Sequence, residues 1–102
     1  MTRFLEHTFA ADGESLEITI GPGSYPVSIS GLTAAGAGSV ALQRSTDSGV
    51  IFGTVKLPDF TDANFTADAE FNLKEDSKVI YRFVMSSYSS GAIVCRIGQK
   101  GL

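Results

Sequence analysis

The chain is 102 residues long and 43% hydrophobic, which is one domain with room for a single core and none for an elaborate active-site superstructure. Eight Lys and Arg against eleven Asp and Glu leave a formal charge of −3, a balance that repels polyphosphate and disfavours nucleic acid as the main ligand. Neither the N-terminal stretch nor any later segment has the apolar run of a signal peptide or a membrane span, and the single cysteine, Cys95, excludes an internal disulfide. The sequence therefore reads as a soluble protein of a reducing cytoplasm, without membrane association.

Apolar residues recur with period two, and no window carries the spacing of an amphipathic helix. Phe4 to Ala10 is the first predicted strand. In the next, Leu16, Ile18 and Ile20 share a face opposite Glu17 and Thr19; after Gly21, Pro22, Gly23 and Pro26, Val27 and Ile29 alternate with Ser28 and Ser30. Thr33 to Gly38 is a loop of small residues. Val40 to Arg44 is a strand that runs into Ser45, Asp47 and Gly49 at alternate positions and returns through Val50, Ile51 and Phe52. This spacing marks a hairpin tied by its own side chains: Ser45 and Asp47 bond nearby backbone groups, Gly49 supplies a positive φ, and Phe52 covers the turn.

Farther on, Phe65, Ala67, Ala69, Phe71 and Leu73 alternate with Thr66, Asp68, Glu70 and Asn72 in what reads as one long strand with a wet face. Lys74 to Lys78 is a polar turn. Val79 to Met85 and Ala92 to Ile97 then read as a final hairpin around the serine-rich stretch from Ser86 to Gly91. The expected fold is all-β, an antiparallel β-sandwich or jelly-roll-like barrel of about eight short strands in a single domain spanning residues 1–102. Leu16, Ile18, Val27, Ile29, Val40, Leu42, Phe71, Tyr81, Phe83, Ile93 and Ile97 occupy the apolar phases and are expected inside.

Catalytic chemistry has little to stand on. His7, the only histidine, sits on a terminal strand with no nucleophile placed beside it, and Cys95 lies between Ile93 and Ile97 as a small core side chain. Asp68 and Glu70 point the same way, about 7 Å apart by strand rise, a spacing that inverting glycosidases use; alternating carboxylates are also what a solvated strand face looks like. Asp59, Asp62, Asp68, Glu75 and Asp76 lack the spacing of a calcium loop and read as solubilising loop acids. Asn64-Phe65-Thr66 matches a glycosylation triplet but reads as strand alternation. The sequence thus calls for no catalytic residue, no metal and no cofactor.

The last predicted hairpin is unusual on its second face, where Ile80, Val84 and Val94 accompany Arg82 and Arg96. Paired arginines would repel unless carboxylates from this chain or a neighbour relieve them. Either the chain's own terminal segments cover this face or it is a subunit contact, where apolar residues and Arg are enriched.

Ser45 to Phe52 resembles an Asp-box, the Ser-x-Asp-x-Gly-x-x-aromatic hairpin of sialidases and other propellers, with Phe52 where tryptophan is usual and Val50 where threonine is common. One copy in so short a chain implies a turn and no sialidase chemistry. More broadly, residues 38–49, Tyr81-Arg82-Phe83, Tyr88-Ser89-Ser90-Gly91 and Arg96-Ile97-Gly98-Gln99 resemble the small β-sandwich structural proteins of tailed-bacteriophage virions. That resemblance implies a capsid decoration (cement) protein that contacts the major capsid protein or other virion proteins. It would be assembled into the virion in the host cytoplasm; a domain this small without disulfides, with Arg82 and Arg96 on a half-apolar face, is expected to be a homo-oligomer, with a trimer suiting local threefold symmetry. The alternative it leaves open is a tail, neck or fibre-associated module that recognises carbohydrate or a host receptor through Tyr25, Tyr88 and polar loops.

Overall fold

A computed structural model describes residues 4–45, 49, 51–57 and 61–98. Strands β1 (Phe4–Phe9), β4 (Gly23–Ser30), β8 (Ala69–Glu75) and β10 (Ile93–Gly98) form one sheet in the order β1-β10-β4-β8. The second sheet has β9 (Val79–Ser86) and β5 (Ser39–Ser45) at its centre. One edge of it is built from β2 (Gly13–Glu14) and β3 (Ile18–Ile20), both on β9, and the other from β6 (Gly53–Thr54) and β7 (Asn64–Phe65), both on β5. All pairings are antiparallel. Counting β2 with β3 and β6 with β7 as interrupted strands gives eight, and the chain changes sheet at every connection except the one between β5 and β6. This is the two-sheet Greek-key arrangement of a jelly roll.

The interruption between β2 and β3 has a clear cause. Glu14 pairs with Val84 and Ile18 with Tyr81, so the offset between the partners changes by one residue across Ser15 to Glu17. Leu16 is the extra residue of a β-bulge. It was expected inside but is 75% exposed, because the bulge carries it out of the inward phase that Ser15 and Ile18 keep. Ser15 repairs the ladder: its N–H donates to the Phe83 carbonyl and its Oγ accepts from the Phe83 N–H, both at 2.9 Å.

Two other expectations are corrected. The stretch from Phe65 to Leu73 is not one strand, since β7 belongs to the second sheet, β8 to the first, and residues 66–68 cross between them. Alternation survives the crossing because both ends aim inward, and the Phe65 and Phe71 rings meet at 5.3 Å. Likewise β9 and β10 are not a hairpin; they lie in opposite sheets, so Arg82 and Arg96 never face each other. The small-residue loop after β4 holds one helical turn, α1 (Leu32–Ala35), between Gly31 and Gly36 at φ 86° and 76°.

Between the sheets, Val27, Ile29, Val40, Leu42, Tyr81, Phe83, Ile93 and Ile97 are buried as their phases require, with Ile18 and Phe71 half-buried at the margins. Each fully buried aliphatic or aromatic side chain contributes about 1.5–3 kcal/mol, the main favourable term in a domain without disulfides.

Candidate functional site

The turn after β5 is tied as its spacing predicts where it can be followed. Ser45 is only 2% exposed, and its Oγ accepts the Gly49 N–H at 3.0 Å, with Gly49 at φ 86°. Asp47 lies outside the described residues. Phe52 comes back over the sheet and sits under the Arg82 guanidinium, 3.9 Å from ring centroid to Cζ.

This turn covers part of the outer face of the second sheet, where Ile80, Arg82 and Val84 stand. A Cβ placed on Gly49 would be 3.7 Å from Ile80 Cδ1 and 3.4 Å from Glu17 Oε1, so the loop rides over β9 toward β3. Arg82 is held from three sides within its own chain: Nε donates to Gln43 Oε1 at 2.8 Å, Nη1 meets Glu14 Oε2 at 2.6 Å, and Phe52 fills the plane below. The carboxylate needed to neutralise it is thus internal.

Val94 and Arg96 lie on the opposite side of the molecule, on the outer face of the first sheet. The register aligns Glu6, Arg96, Ser28 and Glu70 across four strands, and Arg96 Nε donates to the Glu6 carboxylate. A groove of about 440 Å³ crosses this face between Phe4, Pro26, Ser28, Glu70, Asn72 and Arg96. The five residues grouped from the sequence as one contact surface are therefore two faces, Ile80, Arg82 and Val84 on one and Val94 and Arg96 on the other.

The remaining candidates separate as well. Asp68 precedes β8 and accepts the Leu32 and Thr33 amides at 2.8 and 3.0 Å, while its own N–H donates to Thr33 Oγ1 at 2.9 Å. These bonds, the one from Thr33 foremost, hold its carboxyl below the ordinary range. It is a clasp between a loop and a helical turn, whereas Glu70 lies along the groove of the first sheet, so the two carboxylates do not share a cleft. Burial pushes the Cys95 thiol up to about 12. His7 packs edge-on against Phe9 at 4.4 Å. Tyr25 donates to the Gly21 carbonyl at 2.9 Å and Tyr88 to the Gly91 carbonyl at 2.6 Å, at opposite ends of the sandwich, so they form no shared aromatic platform. Asp62 pairs with Lys56, Asp59 is outside the described residues, and among the described residues no three His, Cys, Asp or Glu groups are placed to hold a metal ion.

The most organised polar site was not singled out in the sequence. Glu75 is 8% exposed and bridges the sheets: Arg44 Nε donates to its Oε2 at 2.8 Å, Arg44 Nη2 to its Oε1 at 2.7 Å, and the Tyr81 hydroxyl also donates to Oε2. Burial alone would raise the Glu75 pKa, but the bonds from Arg44 and Tyr81 outweigh it and hold the carboxyl below its ordinary value. Burial, and then the hydrogen bond to Glu75 and its charge, push the Tyr81 hydroxyl well above its own. The pair forms the base of an open cleft of about 730 Å³, whose rim includes Ile51, Thr54, Lys74, Asp76 and Ser77. The signal was available: Val40 and Leu42 lead in phase to Arg44, and Phe71 and Leu73 to Glu75. In the sequence Glu75 sits in the polar run from Lys74 to Lys78, but the strand continues through it.

No family model, curated protein or solved structure matches the chain. The fold and these sites are what the molecule offers for a functional reading.

Proposed function

We propose that this chain is a non-enzymatic structural protein of a tailed-bacteriophage virion, a capsid decoration protein that stabilises the head through protein contacts. The observation that carries the reading is a jelly roll whose interior is filled with apolar side chains, leaving its polar chemistry to two outer strand faces and the sandwich ends. Viral capsid domains recur on this architecture, and the resemblance of residues 38–49 and of the β9 and β10 segments to small virion proteins agrees with it.

The face best suited to the shell is that of the first sheet. The second sheet's face is overlain by Phe52 and the turn at Gly49, and Arg82 is held there by Gln43, Glu14 and Phe52. Val94, Arg96 and the groove beside them carry no such cover among the described residues. Stabilisation works by mass action: a protein that binds the assembled lattice and not its dissociated subunits raises the stability of the lattice. A trimer at local threefold positions would engage three shell subunits at once and gain avidity from doing so.

Purified heads lacking decoration provide the test. The protein should co-sediment with them, appear as density outside the shell in electron micrographs, and raise the temperature at which heads disrupt. Protein that stays in the supernatant and leaves the disruption temperature unchanged refutes the reading.

A further inference from the structure

We infer that the cleft between Ile51 and the Arg44–Glu75 pair is a binding site for a neutral saccharide. This rests on the cleft alone and is independent of the decoration reading.

Charge selects the ligand class. Arg44 and Glu75 cancel each other, Lys56 is neutralised by Asp62, and Lys74 and Asp76 contribute one charge of each sign. Among the described residues the charges balance, so a phosphate or polyacid would find little net field from them, and a purely apolar ligand would strand the polar groups of the lining. A hexose fits both limits, because its hydroxyls donate and accept while one ring face presents only C–H groups.

The side chains match that dual character. Ile51 is one of two large apolar side chains exposed among the described residues, at 70%, and lines the cleft with polar neighbours. It offers a surface for a sugar C–H face. Arg44 uses Nε and Nη2 on Glu75, also interacts with Tyr81, and is about one-third exposed, so its guanidinium edge lines the cleft. Asp76, Ser77, Thr54 and Lys74 add acceptors and donors around it. A two-point ion pair fixes the guanidinium plane before any ligand arrives, which lowers the ordering cost of binding. A volume of about 730 Å³ exceeds the need of a single ring and suits a disaccharide end.

The test is an amide NMR titration of the whole chain with the methyl glycosides of glucose, galactose, mannose and N-acetylglucosamine, with inorganic phosphate and glucuronate as charged comparisons. Shifts at Gly53, Thr54 and residues 74–77, with none at Tyr88, are expected for at least one neutral sugar at about millimolar affinity. Asp76→Ala and Ile51→Asp, both surface changes, should each weaken binding about tenfold while the remaining spectrum stays folded. The proposal is overturned if none of the four sugars shifts these amides, if both variants bind like the wild type, or if phosphate or glucuronate binds more tightly. Head co-sedimentation of the same variants should be unchanged, which separates failure here from failure of the decoration reading.

Discussion

Arg44 and Glu75 join the two sheets through parallel hydrogen bonds of 2.8 and 2.7 Å, with the Tyr81 hydroxyl on the same carboxylate. Arg44 is at the end of β5 and Glu75 at the end of β8, so the bridge closes the sandwich where its apolar layer runs out. A carboxylate this buried is tolerated only because both its partners, Arg44 and Tyr81, are fixed by strands.

The bridge predicts a stability profile that falls at both ends of the pH scale. The folded pKa of Glu75 is below its ordinary 4.5, so its contribution is complete above that value and is lost as pH falls through the folded value. Tyr81 is shifted the other way: its contribution is complete below its ordinary 10.0 and is lost as pH rises beyond it. Thermal melts from pH 2 to 11 should show both limbs. Tyr81→Phe should flatten the alkaline limb, and Glu75→Gln the acid one. At pH 7 Glu75→Gln should cost about 3 kcal/mol, the low end for a broken buried pair, because Arg44 keeps partial access to water.

Ser15 supplies a second prediction. Ser15→Ala removes the acceptor for the Phe83 N–H, leaving a central strand donor unsatisfied at the bulge, and should destabilise by about 1–3 kcal/mol. Denaturant unfolding measures the loss, and hydrogen exchange should show the Phe83 amide opening ahead of its β9 neighbours. Equal protection along β9 would mean the bulge is held in another way.

Much of the fold was legible because alternation reports which face of a strand is wet. It gave the all-β class, the strand number and eight inward side chains, from Val27 to Ile97. It could not report which sheet a strand joins: β9 and β10 each alternate as a hairpin would, yet jelly-roll wiring sends them to opposite sheets, and the contact surface inferred from Arg82 and Arg96 divided with them. Leu16 failed for a local reason, since a one-residue bulge inverts the phase without altering composition. The Arg44–Glu75 bridge is hidden because charged residues at strand ends have the composition of a turn, and only the pairing of β5 with β9 and of β8 with β4 brings the two together.

Close backbone packing at the helical turn gives a third prediction. Gly31 has φ 86°, and a Cβ there would stand 2.2 Å from the Ala92 carbonyl oxygen, so Gly31→Ala meets both a steric clash and a left-handed backbone. It should cost more than about 2 kcal/mol. Gly53→Ala, at a position with open space and no such φ, should change stability by less than about 1 kcal/mol. Comparing the two melts isolates the effect of position from that of losing a glycine.

The two arginines once assigned to one surface now make opposite predictions. Arg82 is enclosed by Gln43, Glu14 and Phe52 of its own chain, so Arg82→Glu sets a carboxylate against Glu14 and removes the cation from the Phe52 ring. Its principal effect should be a lower melting temperature, with the oligomeric state and head binding kept at temperatures where the chain is folded. Arg96 is on the more open face and holds only Glu6 by a surface pair, which contributes about 0–1 kcal/mol. Arg96→Glu should therefore cost little in stability, yet it removes the cation aligned with Glu6 and Glu70, turns that patch strongly acidic and should abolish self-association or head binding if that face is the contact. Sedimentation of wild type and both variants, alone and with purified heads, decides the matter. A wild-type monomer that ignores heads removes the decoration proposal, and loss of binding in Arg82→Glu alone would move the contact to the second sheet.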